Sequence, residues 1–212
     1  MSPSNEYAKL VKIKTNNLSD KGFKAKIQLP SSKTLTGPYD YINFYCGLES
    51  YECGISCKDA SGWKENGVLK WRAFANGESD PTYHGKLFND GDIVTISLEK
   101  NAQNLMEFRV NDSLVRTFKK PLTSVTNSAR LVLAAYQATG YTPPLKPFNV
   151  KHNQVRAYEM KYKNSSNNWV AFTSGSNVTT EEWPLGVGTP DGKVYNLDKT
   201  YIGNSEVYAS LK

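Results

Sequence analysis

Tyr41 to Cys57 reads YINFYCGLESYECGISC, and its alternation decides the fold class. Ile42, Phe44, Cys46 and Leu48 share one side of an extended chain, while Tyr41, Asn43, Tyr45 and Gly47 share the other, as the two-residue side-chain period of a strand requires. A two-residue turn at Glu49 and Ser50 sets Cys46 opposite Cys53 and Phe44 opposite Ile55. Tyr51, Cys53, Ile55 and Cys57 then join the apolar side. The stretch therefore predicts a central β-hairpin, although Glu-Ser lacks the Asn-Gly or Asp-Gly chemistry that short hairpin turns prefer.

The same period recurs outward from this hairpin. Upstream, Tyr7 to Lys14 reads as a strand that Lys9 interrupts, which points to a sheet edge, and Phe23 to Leu29 alternates cleanly until Pro30. Downstream, Val68 to Ala75, Ile93 to Lys100, Leu105 to Val110 and Ser113 to Phe118 read as strands. Asn76-Gly77 opens a loop through Pro81, Tyr83 and His84, and Asn111-Asp112 makes a tight turn. Arg130 to Gln137 (RLVLAAYQ) is the most apolar run and reads as a central strand. Pro143, Pro144 and Pro147 make Gly140 to Asn149 a crossover connection. Strands at Val155 to Lys163 and Trp169 to Thr173 follow. Past the Gly/Pro-rich segment Pro184 to Gly192, short strands near Val194 and over Glu206 to Leu211 close the chain.

With 212 residues the chain can bury a sizeable core, and 13 Tyr, 8 Phe and 4 Trp favour strands over helices. Residues 1–6 read as an appended or disordered start and 7–212 as one all-β domain. The net charge of +6 is spread diffusely, with no basic arm or RNA-binding aromatic motif, so nucleic acid is not the expected partner. No apolar run approaches the roughly 18 residues of a membrane span. Three cysteines fit either reduced thiols or one bridge with a spare thiol, and Cys46 to Cys53 is the bridge the register allows. Zinc is disfavoured, because His84 and His152 lie far from the cysteines in sequence and no paired CxxC spacing exists.

A hydrolase on this scaffold needs two carboxylates flanking the scissile bond, and the hairpin offers only Glu49 in a turn and Glu52. No GxSxG motif is present. Asp90 and Asp92 of the run NDGD can ligate calcium through clustered oxygens, and the same run is ordinary turn chemistry; no other cofactor is expected. Aromatics are more telling, since sugar rings stack on Trp and Tyr while their hydroxyls bond to amide, guanidinium and carboxylate groups. Tyr41, Asn43, Tyr45, Glu52 and Arg72 share the polar side of the hairpin and its neighbour, with Trp63 and Tyr83 reaching in from loops. These seven are the candidate ligand-binding residues. A second packed layer is the competing reading of the same side.

The succession YINFYCGLESYECGIS (41–56), GVLKWRAFANG (67–77) and FNDGDIVTISLEKNAQNLMEFRVNDSLVRTF (88–118) resembles the concanavalin A-like lectin/glucanase superfamily, and within it the YrpD-like secreted proteins. The resemblance covers residues 23 to 137. It implies an antiparallel β-sandwich of the jelly-roll type, carbohydrate bound on the concave face or in rim loops, and a secreted or cell-surface location. The acidic catalytic motif of the glucanase members is absent. The expectation is therefore a non-catalytic, lectin-like domain whose partner is a polysaccharide or glycan, anionic given the positive charge. The alternatives are a polysaccharide-cleaving enzyme of the same fold and a structural or protein-binding surface domain.

Overall fold

Residues 41–58 form the expected hairpin with the expected register, Cys46 opposite Cys53 and Phe44 opposite Ile55. Glu49 meets the demand of the two-residue turn by adopting a positive φ of 52°. The structure, a computed structural model, describes residues 6–17, 19–35, 37, 40–78, 82–122, 127–138, 149–173, 178–185, 195–198 and 205–211. In chain order the strands are β1 (Glu6–Thr15), β2 (Gly22–Gln28), β3 (Lys33–Thr34), β4 (Tyr41–Leu48), β5 (Tyr51–Lys58), β6 (Lys64–Glu65), β7 (Val68–Leu69), β8 (Trp71–Asn76) and β9 (Thr82–Phe88). They continue as β10 (Ile93–Lys100), β11 (Leu105–Val110), β12 (Ser113–Pro121), β13 (Arg130–Ala138), β14 (Lys151–Lys163), β15 (Trp169–Ala171), β16 (Val178–Leu185), β17 (Asn196–Asp198) and β18 (Val207–Leu211).

Two antiparallel sheets form a jelly-roll β-sandwich. The first runs β16-β1-β13-β4-β5-β8-β9, and the second runs β12-β11-β10-β2-β14-β18-β17, with β3 and β15 also paired to β14. The inward residues read from the sequence fill the layer between them: Phe44, Cys46, Cys53 and Ile55 from the first sheet, Phe23, Ile27, Ile96 and Leu98 from the second, all within 1 % of full burial. Phe44 stacks on Trp71 with centroids 5.2 Å apart, and Phe23 meets Phe172 edge-on at 5.4 Å. Each such side chain contributes about 1.5–3 kcal/mol through burial. Asn111 and Asp112, at φ 48° and 64°, close the β11–β12 hairpin, a backbone region that short polar side chains tolerate.

Several expectations are corrected. The first strand is not an edge: β1 lies between β16 and β13, and Lys9, which spoiled its pattern, is 2 % exposed on the core-facing parity. Tyr83 and His84 lie on β9 and not in a loop. β16 was not anticipated; it is an edge strand, a setting in which the missing N–H of its Pro184 is tolerated. The Cys46–Cys53 bridge is not formed, and all three cysteines are free. The Cys46 thiol instead donates to the Cys53 carbonyl at 3.1 Å. Burial pushes the Cys46 and Cys57 thiols up to about 12, so neither is a nucleophile at neutral pH. Residues 1–5, most of the segment 140–149 that was expected to be a crossover, and Val194 lie outside the described residues.

His152, 2 % exposed, sits edge-on to Phe44 at 5.1 Å and beside Tyr195 at 5.2 Å. Its Nδ1 donates to the Asn153 carbonyl at 2.7 Å, while Nε2 has no partner. Burial lowers its pKa from 6.5 to about 4. The unfolded chain therefore takes up this proton at a higher pH than the native one. Stability that is whole above pH 6.5 is lost as pH falls towards 4, by about 2 kcal/mol between pH 7 and pH 5. Urea titrations at those two pH values should show that loss in the wild type and not in His152→Gln. Glu78, Glu107 and Glu181, whose pKa values are lowered from 4.5, contribute their losses mainly below this window.

Candidate functional site

The ladder registers of the seven-stranded sheet place its outward side chains in rows across the strands. One row runs Lys14, Arg130, Gly47, Glu52, Asn76; the next Lys12, Val132, Tyr45, Gly54, Phe74, Tyr83; the next Leu10, Ala134, Asn43, Ser56, Arg72, Leu87; and a fourth brings Tyr136 against Tyr41. Tyr41, Asn43, Tyr45, Glu52 and Arg72 thus share one face, away from the core.

This face has two ends. At one, the Arg72 guanidinium lies 5.5 Å from the Trp63 ring centre and 5.7 Å from that of Tyr83, whose own rings meet edge-on at 4.7 Å. Arg72 is pinned by donating to the carbonyls of His84 at 2.6 Å and Gly62 at 3.2 Å. Trp63 reaches it from a 3₁₀ turn at Ser61–Trp63. The loop residue Trp63 and the edge-strand residue Tyr83 meet Arg72 in a cluster with cation–π contacts, in which Trp63 is buried beneath the surface at 8 % exposure and Tyr83 is exposed. In the middle, Tyr41 and Tyr136 stack at 4.3 Å, and the Asn43 Oδ1 is buried without a partner.

At the other end an open groove of about 530 Å³ is lined by Tyr45, Tyr136, Glu52, Arg130, Lys12 and Lys14, among others. Arg130 lies across Gly47, where a Cβ would meet its Nε at 2.5 Å. It donates to the Glu49 carbonyl at 2.7 Å and faces Glu52 at 3.5 Å. Glu181 pairs with Lys14 and with Lys12, the Lys14 hydrogen bond first among the influences holding its carboxyl low. Lys12, Lys14, Arg130, Glu181 and Tyr136 were missed by sequence reasoning. Their parity was readable, but the adjacency of β1, β13 and β4 was not.

Tyr45 corrects a further expectation. It occupies the predicted face, yet it is 7 % exposed, packed with Leu10, Phe74, Val132 and Ala134, its ring 6.1 Å from Phe74. Burial, and then the neighbouring Tyr136 and Glu52, raise its hydroxyl pKa far above the usual value. The centre of the face is thus a small apolar layer, and its ends carry the polar groups.

Asp90 and Asp92 are both engaged within the protein. Asp90 takes the ammonium of Lys33 and the Trp71 indole N–H, the latter at 2.7 Å, while Asp92 caps the turn by accepting from the Asn89 N–H at 2.8 Å. Among the described residues no group of three or more His, Cys, Asp or Glu side chains gathers to hold an ion.

Fold and face together define a jelly-roll β-sandwich whose second face carries aromatic and charged side chains over a groove. No protein-family model matches the sequence, and no curated protein sequence matches it. Among solved structures, the chain is similar to scytalido-glutamic peptidase bound to a transition-state-analogue inhibitor, with 11 % identity over 99 % of both chains and a TM-score of 0.58. It is also similar to SCP-B, a member of the eqolisin family of peptidases in complex with the tripeptide Ala-Ile-His, with 11 % identity over 99 % of this chain and 98 % of that one and a TM-score of 0.51. The galectin LEC-6 from Caenorhabditis elegans aligns with 65 % of this chain and 99 % of its own at 15 % identity and a TM-score of 0.35. At these identities the likeness to the two peptidases is one of fold. The finer resemblance to YrpD-like proteins has no counterpart here.

Proposed function

We propose that this chain is a non-catalytic carbohydrate-binding domain, secreted or cell-surface, that takes a glycan on the outer face of the seven-stranded sheet. The observation that carries this reading is the combination on one face of the Arg72, Trp63 and Tyr83 cluster, the Tyr41–Tyr136 stack and the charged groove. The exposed Tyr83 ring, backed by the buried Trp63, offers stacking to sugar C–H groups, and Asn43, Glu52, Arg72 and Arg130 offer hydrogen bonds to hydroxyls or sugar acids. Lys12, Lys14 and Arg130 favour an anionic glycan. Tyr83, 38 % exposed, is the cleanest probe, because Tyr45→Ala would remove apolar packing together with any ligand contact. Tyr83→Ala should weaken binding of the best ligand from a glycan array about tenfold, the worth of one aromatic contact of 1–1.5 kcal/mol. An array on which the wild type binds nothing removes this reading.

The near-complete overlap with glutamic peptidases favours one second reading, a hydrolase of peptide bonds. Glu52, in the groove beside Tyr45, is the carboxylate such chemistry would draw on. Incubation with casein and with a polysaccharide panel across acid and neutral pH separates the two. Peptide release abolished by Glu52→Gln supports the hydrolase, whereas glycan binding without release of peptides or reducing ends supports the binder.

A further inference from the structure

At the far rim of the second sheet, three lysines stand side by side. Lys100 ends β10, Lys21 precedes β2 and Lys163 ends β14. The Lys100 N–H donates to the Lys21 carbonyl at 2.8 Å, and the Lys21 N–H donates to the Lys163 carbonyl at 2.7 Å. Like charges on neighbouring strands destabilise a sheet; Glu99 offsets Lys163, while Lys21 and Lys100 stand at adjoining positions with no carboxylate between them.

The lysines line a pocket of about 350 Å³, together with Asn101, Asn104 and Asn167. Two asparagine-locked turns frame it. The Asn101 Oδ1 accepts the N–H groups of Gln103 and Leu105 at 2.9 and 3.0 Å. The Asn164 Oδ1 does the same for Ser166 and Asn168 at 3.0 and 2.9 Å. Asn104 and Asn167 sit at φ 64° and 66°, which asparagine tolerates better than most residues. The frame is built before any ligand arrives. No carboxylate lines the pocket. Glu99 engages Lys163 alone at 3.1 Å, and Lys21 donates only to neutral oxygens, the Ser165 carbonyl at 2.6 Å and Asn167 Oδ1 at 3.3 Å. Lys100 has no side-chain partner among the described residues.

We infer that this pocket binds a compact oxyanion, a sulfate or phosphate group either free or as the ester of a small sugar. Lysines lining a concave site that has no carboxylate in its wall can give charge-assisted hydrogen bonds to such oxygens, with Lys100 the lead group because Glu99 holds Lys163. The Asn104 and Asn167 amides can supply further donors, Asn101 Nδ2 being given to Glu107 at 2.9 Å. This site is separate from the glycan face and does not depend on it.

Calorimetric titration of the full chain with sodium sulfate, inorganic phosphate, glucose 6-sulfate and glucose 6-phosphate tests the inference, with glucose and with sodium chloride of matched ionic strength as controls. The expected result is saturable one-to-one binding of the oxyanions that weakens with salt, and none of glucose or chloride. Comparing each free ion with its ester tells which source the site takes. Lys100→Gln, which breaks no hydrogen bond or ion pair among the described residues, should leave the melting temperature nearly unchanged and reduce affinity about tenfold, the worth of one charge-assisted bond. Lys161→Gln, an exposed lysine of β14 outside the pocket, should change nothing. Absence of saturable binding, or an equal loss in Lys161→Gln, overturns the inference.

Discussion

Gly54→Ala should leave the protein unable to reach its native state, or destabilised by on the order of 4 kcal/mol or more. Gly54 lies in β5 opposite Tyr45, at one of the positions where antiparallel strands approach most closely. A Cβ there would stand 2.1 Å from the Phe44 carbonyl oxygen and 2.5 Å from the Tyr45 Cα. Both are backbone atoms of the adjacent strand, so no rotamer change relieves the clash; β4 and β5 must separate, and with them the middle of the sheet. The φ of the glycine is not the reason. Gly85→Ala supplies the control, since nothing lies within 4 Å of its added Cβ, and it should stay within about 0.5 kcal/mol of wild type. Circular dichroism and urea unfolding of the two variants make the comparison, and a native-like Gly54→Ala protein of unchanged stability would refute the packing described for β4 and β5.

The second large effect is expected at Asp90. The Lys33 side chain is 3 % exposed, and its ammonium is held by Asp90, by the Leu69 carbonyl at 3.0 Å and by the Trp71 ring 5.1 Å away. Asp90→Ala strands this buried charge and also removes the acceptor of the Trp71 indole N–H. Breaking such a pair costs about 3 kcal/mol. Asp90→Asn, which returns an acceptor but not the charge, should cost less. Adding Lys33→Met to Asp90→Ala should recover most of the loss, because the penalty belongs to the uncompensated ammonium and not to the missing pair. Urea midpoints for the four proteins suffice; a single variant within 0.5 kcal/mol of wild type would show that water reaches Lys33.

The parts of this fold that were legible are those whose information is local. The β4–β5 hairpin could be read to the residue, because one apolar pattern spans both strands and only one turn length keeps it in register. β9 and β16 could not. TYHGKLF and VTTEEWPL have no clean alternation, and both are held in the sheet through one neighbour alone, so little in their composition records the pairing. The candidate face divides in the same way. That Tyr45 and Arg72 share a side with Asn43 followed from parity. That Tyr45 is covered follows from Phe74, Leu10 and Val132 meeting over it, and those residues are brought together by the strand order β1-β13-β4-β5-β8. Lys12 and Arg130 reach the groove for the same non-local reason. The lysine rim was likewise hidden, since Lys21, Lys100 and Lys163 are dispersed through the chain and become neighbours only through β10, β2 and β14.

The border strands of the two sheets also bear on how this molecule meets others of its kind. A free strand edge is a template for another chain, and proteins discourage such joining with prolines and lysines at the border. The first sheet ends at β16, which carries Pro184, and the second ends at β12, whose last residues are Lys119, Lys120 and Pro121, the lysines exposed. Along these two borders, copies crowded together are thus discouraged from knitting their sheets into continuous fibrils.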